Sequence, residues 1–188
     1  MNQALKTSVL MSARNYLEGE KHNDTRHEFI NGEIFAMAGE SKAHNTIVLN
    51  LAVLLRNHLK LPCRVFMENV KTQVKNAQEE RYYYPDLQVS CETASLQDYY
   101  ESAPKLIIEV LSPSTERFDR ADKFYAYRRL SSLEEYVLIA QDTPRIEVYR
   151  QAMQWELELY TEMTTEVKLD SIAFTVTLAD IYADISFE

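Results

Sequence analysis

Glycine is nearly missing from this chain, with 3 residues in 188. Phosphate-cradling loops and dinucleotide-binding turns need several glycines at fixed spacing, and neither pattern occurs. The two cysteines, Cys63 and Cys91, match no metal-ligand spacing and are too few for a disulfide framework. Each is expected to be a small core hydrophobe in a reducing compartment. The longest apolar run, Ile47 to Leu55, is interrupted by Asn50 and is far too short to cross a bilayer. An apolar leader with a small-residue cleavage site is not found near the N-terminus either, so the expectation is a cytoplasmic protein without a membrane partner. No segment has the biased composition of a linker or tail, so residues 1–188 are read as a single domain.

Basic residues are in the minority, and the net charge is -9. That excludes a uniformly cationic nucleic-acid binder, which works by neutralising phosphates. Between Glu116 and Arg129, however, five basic residues (Arg117, Arg120, Lys123, Arg128, Arg129) meet three acidic ones (Glu116, Asp119, Asp122). An acidic protein can therefore still present a basic face, and bound metal ions would strengthen it. The 12 tyrosines suit β-rich structure or an interaction surface.

Hydrophobic spacing predicts the elements. Ser12 to Glu20 is a short helix. Arg26 to Ile30 and Glu33 to Ala38 form a hairpin around Asn31-Gly32, the pair that supplies both positive-φ positions of a type I′ turn. Ser41 to Leu59 is the best helix, with Ile47, Val48, Leu51, Leu54, Leu55 and Leu59 at helical intervals before Pro62. Val65 to Val74 and Tyr83 to Cys91 read as two strands, and Gln97 to Ser102 as a loop or helical turn. Leu106 to Leu111 is a fully buried strand, central in its sheet. Phe118 to Leu130 is a second helix, with Asp119, Lys123 and Tyr127 in one column. Glu135 to Ala140, Ile146 to Arg150 and Trp155 to Tyr160 alternate like a meander. Leu169 to Thr177 completes the β part, and Leu178 to Ile185 is a terminal helix. The fold class is α+β, a mixed central sheet flanked by helices.

Two of these strands each deliver one carboxylate. Asp86 follows Pro85 in Tyr82-Tyr83-Tyr84-Pro85-Asp86-Leu87. Glu109 stands between Ile107-Ile108 and Val110-Leu111, where an ionised acid loses its solvation unless something compensates it. Two such acids on neighbouring strands make an oxygen-rich site for Mg²⁺, which takes one or two carboxylates and keeps several waters. Metal-assisted chemistry on a phosphate ester follows, with Lys123 on the next helix able to stabilise charge at the reacting phosphorus. Weaker candidates are Glu28 and Glu33 on the hairpin, His44 as a base or phosphate contact, and Tyr127, one turn from Lys123. Ser112 and Thr115 are better explained as capping the following helix than as nucleophiles.

Several of these runs resemble one family. Phe29-Ile30-Asn31-Gly32-Glu33-Ile34, His44, Tyr84-Pro85-Asp86, Ile108-Glu109-Val110-Leu111-Ser112-Pro113-Ser114-Thr115, then Asp119, Lys123, Tyr127 and Glu135-Tyr136-Val137-Leu138 look like the Uma-type family of restriction-endonuclease-like proteins. The likeness runs from about Ser12 to Thr177. That family is similar to the PD-(D/E)XK nuclease fold, and the resemblance implies a DNA endonuclease using Mg²⁺ or Mn²⁺. Asp86 and Glu109 would be metal ligands, with the Val110 carbonyl as a third; a homodimer follows by analogy. One position departs from the pattern. The nuclease lysine normally stands two residues after the second acid, where this chain has Leu111, so Lys123 would have to replace it from the helix. The rival reading is a nuclease fold that has lost turnover and serves as a nucleic-acid-binding or regulatory protein. A second rival is a hydrolase of a small phosphate ester, which would need a narrow closed pocket.

Overall fold

The computed structural model describes residues 10–92 and 98–187. Its larger sheet is six-stranded, in the order β11-β10-β9-β8-β6-β3. The strands are β3 (Arg64–Met67), β6 (Leu87–Ser90), β8 (Leu106–Leu111), β9 (Glu135–Ala140), β10 (Ile146–Arg150) and β11 (Leu157–Tyr160). β8 and β9 run parallel and the other pairs antiparallel, so the sheet is mixed. A second, five-stranded sheet has the order β2-β1-β5-β4-β7, built from β1 (His27–Ile30), β2 (Glu33–Ala36), β4 (Lys71–Lys75), β5 (Glu80–Tyr83) and β7 (Tyr100–Glu101). This is the expected α+β architecture, distributed over two sheets.

One face of the six-stranded sheet carries the larger core. The long helix α2 (Lys42–His58) packs Ile47, Val48, Leu51 and Leu55 against Leu87, Val89, Leu106, Ile108 and Val110. Ser41 caps that helix, its hydroxyl accepting from the His44 amide at 3.0 Å, which satisfies one of the orphan donors of a helix start. The opposite face, carrying Ile107, Leu111, Tyr136 and Leu138, packs against Ala126 and Tyr127. Those two residues belong to a composite helix: α3 (Glu116–Phe118), a π-helical turn (Asp119–Lys123) and α4 (Phe124–Tyr127). A helix α1 (Ala13–Glu20) lays Tyr16 on Phe29 and Tyr82 of the smaller sheet.

Several sequence expectations need correction. Val65 to Val74 is not one strand, and neither is Tyr83 to Cys91. Each breaks and changes sheet, the first at residues 68–70, where Glu68 takes φ 46°, and the second at Tyr84-Pro85-Asp86. Proline cannot donate to a ladder, so the break at Pro85 is chemically natural. Asp86 is thereby left in the crossing between the two sheets. The expected Lys75 to Arg81 loop is shorter: Lys75 pairs with Glu80 and Val74 with Arg81, so the turn of the β4–β5 hairpin is residues 76–79. Leu169 to Thr177 is also divided: β12 (Glu166–Leu169) and β13 (Phe174–Thr177) pair as a separate hairpin, and only Leu178–Ile181 (α5) follows as helix. Gln97 lies outside the described residues, while Tyr100 and Glu101 form a strand, not a helical turn. The tyrosines serve mainly as core: Tyr16, Tyr82, Tyr83, Tyr84, Tyr127, Tyr136 and Tyr182 are all buried.

The cysteine expectation fails outright. Cys63 and Cys91 are joined in a disulfide. The β3–β6 register pairs Arg64 with Ser90, which sets Cys63 directly opposite Cys91 one step further on. Neither is a free core thiol, and the cysteine-based case for a reducing compartment goes with them. No helix among the described residues is long and apolar enough to cross a membrane.

A second buried ionic cluster holds the C-terminal hairpin. Glu135 on β9 accepts from Arg150 Nε at 2.9 Å, from the Asp170 and Ser171 amides at 3.0 Å each, and from the Ser171 hydroxyl. Removing Glu135 leaves two amides and a buried hydroxyl without their acceptor and takes one of its carboxylates from Arg150, which keeps Glu158 and the Lys168 carbonyl. Glu135→Ala is expected to destabilise the fold by about 3 kcal/mol in urea unfolding; a loss under about 1 kcal/mol would show the cluster to be energetically idle.

Candidate active site

The β6–β8 register pairs Leu87 with Ile108 and so puts Asp86 directly opposite Glu109. Opposed residues of an antiparallel pair point to the same side of the sheet. Each acid is also bonded to the other's strand. Asp86 Oδ2 accepts from the Val110 amide at 2.6 Å, and Glu109 Oε2 accepts from the Asp86 amide at 3.2 Å. Two amides aimed at two carboxylates fix both side chains, one from the strand β8 and one from the crossing that precedes β6.

Lys123 occupies the middle of the site. Its ammonium lies 3.1 Å from Glu109 Oε1, 3.2 Å from Asp119 Oδ1 and 3.3 Å from Glu28 Oε1. The side chain is buried, with only 6% of the residue exposed. The π-turn brings this about, since it spans Asp119 to Lys123 and turns both residues inward. Such turns recur at functional sites. Lys123 thus pairs with Asp119 and also reaches the acids on the strands. Glu28 comes from β1, where its Oε1 also accepts the Tyr84 amide at 3.1 Å, tying the smaller sheet to the site. Tyr127 donates to Glu109 Oε1 at 3.3 Å.

His44, at the start of α2, reaches Asp86 from the other side: its Nε2 is 3.2 Å from Asp86 Oδ2 and 3.9 Å from Glu40 Oε2. Glu33 does not join them. It sits on the edge strand β2, opposite Ile30 at the hairpin end, and is exposed to solvent. Leu111, at the usual lysine position, is buried in the apolar core beneath the composite helix. Arg120, which the sequence pattern would leave facing solvent or a phosphate backbone, is tied to Glu116 at 2.7 Å and to the buried Glu147.

The electrostatics follow from burial. Glu109 is pushed well above its ordinary 4.5 because burial penalises its charge, and Asp119, Asp86 and Glu28 add to the rise while Lys123 opposes it. Burial alone would push Lys123 down, but Glu109, Glu28 and Asp119 outweigh it and hold its pKa well above 10.5. Burial also disfavours the charged His44 ring, and its bond and attraction to Asp86, with Glu40 and Glu68, raise the pKa nonetheless. The Tyr127 phenol is raised by burial and by Glu109, so it remains a donor. Glu109, Glu28 and Asp119 face one lysine and Asp86 faces His44, so carboxylates outnumber cations in the site.

Two open cavities meet at Gly39-Glu40-Ser41. One, of about 770 Å³, is lined by Asp86, Tyr84, Arg26 and Asn69; the other, of about 840 Å³, by Ser112, Ser114, Gln141, Arg120 and Arg145. Glu40 belongs to both walls, and sequence reasoning missed it. Its spacing of four residues from His44 was the available signal. Asp119 was visible as the partner of Lys123 but was not assigned to the site.

A mixed sheet with two opposed acids at a strand end and a lysine on the covering helix defines a restriction-endonuclease-like fold. The chain belongs to the Uma2 family, described as "Putative restriction endonuclease", whose pattern matches residues 13–179. Two relatives from Synechocystis sp. (strain ATCC 27184 / PCC 6803 / Kazusa) are similar: the uncharacterized protein slr1290 is 32% identical over 94% of both chains. The uncharacterized protein sll1609 is 36% identical over 85% of this chain and 91% of its own. Among solved structures, a "putative nuclease belonging to DUF820" from Anabaena variabilis ATCC 29413 superposes with a TM-score of 0.74. It covers 90% of this chain and 96% of that one at 20% identity, which speaks for the fold.

The raised Glu109 pKa gives a signed expectation. Between 4.5 and its higher folded value, the folded state binds more protons than the unfolded one, so metal-free stability falls as pH rises through that window. Glu109→Gln should remove much of that slope and leave the metal-free protein at least as stable as wild type at neutral pH. Urea midpoints measured across the pH range test it; a steeper slope in the variant would contradict the assignment.

Proposed function

We propose that this protein is a divalent-metal-dependent DNA endonuclease, with Mg²⁺ or Mn²⁺ held by Asp86 and Glu109 and by the Val110 carbonyl. The observation that supports it most is the direct opposition of Asp86 and Glu109, with Lys123 aimed at the second acid. The donor set fits such an ion. It is made of hard carboxylate oxygens, and carboxylates outnumber the cations around them. Among the described residues no group of three or more His, Cys, Asp or Glu side chains is arranged to hold a metal ion by itself, so the proposed cation would take few protein ligands and keep several waters. When bound, the metal lowers the pKa of a coordinated water and screens the phosphate.

The chain's own residues do the rest. The Val110 and Asp86 amides fix the two carboxylates. Lys123 and Tyr127 hold Glu109 Oε1, and the ammonium places a positive charge behind the acid where negative charge develops on phosphorus. His44 steadies Asp86 from the α2 side. The two open cavities on either side of Glu40 give an elongated substrate room to pass, which favours a nucleic-acid strand over a small ester. The buried Leu111 is the observation favouring the inactive rival, a nuclease fold that binds without turnover. A homodimer, cutting two strands, is part of the proposal by fold analogy, and a doubled mass in sedimentation equilibrium is expected, where the single-chain mass would contradict it.

Purified protein with Mg²⁺ or Mn²⁺ is expected to nick supercoiled plasmid, and Asp86→Asn or Glu109→Gln to abolish the nicking while the fold persists by circular dichroism. Equal nicking by wild type and both variants would assign the activity to a contaminant. Lys123→Met should lower kcat by about 10²-fold or more with little change in metal affinity, because its charge acts on the transition state. Loss of metal affinity with unchanged kcat would reverse that role.

A further inference from the structure

The Cys63–Cys91 disulfide lies at the far end of β6 from Asp86, beside a cavity of its own. That cavity, of about 400 Å³, is lined by Arg56, Leu59, Leu61, Cys63, Arg64, Val65 and Phe66. No acidic side chain lines it among the described residues, and Cys91 is not part of its wall. Both guanidinium groups belong to exposed residues. Cys63 is partly exposed and immediately precedes β3, the edge strand of the six-stranded sheet, so its sulfur is reached from outside the ladder. Cys91 leads away from β6, inside that edge.

We propose that this disulfide is an exchange site for an anionic low-molecular-mass thiol of the glutathione class, which enters the cavity and forms a mixed disulfide with Cys63. Thiol–disulfide exchange is governed by the thiolate, by access to one sulfur and by the leaving group. Arg56 and Arg64 supply the first condition, because cations beside a thiol favour its deprotonated form and attract the carboxylates of a peptide thiol. The cavity supplies the second, since only Cys63 faces it. Its volume is within the range of small-molecule sites, about 300–1,000 Å³. In the step itself the incoming thiolate forms a bond to Cys63 Sγ. The Cys63–Cys91 bond breaks, and Cys91 leaves as a thiolate that takes a proton from water. The incoming thiol is the reductant: its sulfur is oxidised to the disulfide level as Cys91 is reduced, and no other redox partner is needed. Return attack by Cys91 on Cys63 restores the disulfide and releases the small thiol. The β3–β6 ladder pairs Arg64–Met67 with Leu87–Ser90 independently of the sulfurs, so the exchange removes a covalent clasp while leaving the strands hydrogen-bonded.

The test uses the folded full-length protein, incubated with reduced glutathione or with the uncharged 2-mercaptoethanol, quenched in acid and mapped by peptide mass. The expected result is a disulfide in the untreated protein, then a glutathione adduct on Cys63 with a free thiol at Cys91. The Arg56→Gln/Arg64→Gln double variant, its fold checked by circular dichroism, should form the glutathione adduct at least about threefold more slowly, the effect of two partly screened charges. Its rate with 2-mercaptoethanol should be unchanged. Two free thiols in the untreated protein, an adduct confined to Cys91, no adduct at all, or equal slowing with both thiols would each overturn the proposal.

Discussion

One ammonium group sustains the candidate site. Lys123 contacts Glu109, Asp119 and Glu28 within 3.3 Å, and these acids come from a strand of the larger sheet, the composite helix and a strand of the smaller sheet. Three carboxylates in an apolar interior would repel one another and each lose its hydration. A single cation that touches all three therefore links the layers as well as balancing them. The cost of burying it is repaid only while the carboxylates stay charged enough to hold it, so position and charge in this site are inseparable. The π-turn in the composite helix is part of the same arrangement, because it turns Asp119 and Lys123 to the interior together.

The remaining acidic charge gives the site its chemical character. Lys123 answers for one of the acids, yet Asp86 stands opposite Glu109 with its own carboxylate open to a cavity. His44 is its neighbour on one side, and the proposed divalent metal would answer the rest of that surplus. Family membership and the shared fold are consistent with nuclease chemistry. The proposed nucleic-acid substrate matches the shape of the site, where two open cavities flank Glu40.

Much of this was legible in the sequence, for identifiable reasons. Glu109 stood out because it is an acid among Ile107, Ile108, Val110 and Leu111, Asp86 because it follows Pro85 in a strand-like run, and Lys123 because it stands in one helical column with Asp119 and Tyr127. The hairpin was announced by Asn31-Gly32, whose φ values are 50° and 102°. What stayed hidden depends on three-dimensional partners. The sheet changes at residues 68–70 and 84–86 interrupt runs whose hydrophobic alternation continues across the break. Glu33 and Glu28 share a hairpin, and only strand order shows that Glu28 faces inward while Glu33 ends on the edge. The Cys63–Cys91 pairing spans 28 residues and is set by strand register, which spacing alone does not reveal. Glu40 became relevant only once α2 was placed against Asp86.

The most direct measurement is anomalous diffraction from crystals soaked in Mn²⁺. The expected result is a single peak bridging the Asp86 and Glu109 carboxylates, with ligand distances typical of a hard cation bound by oxygen. A map with no peak between the two acids, in crystals where Mn²⁺ occupies other sites, would contradict the metal-centred reading and leave a nuclease fold stabilised by Lys123 alone.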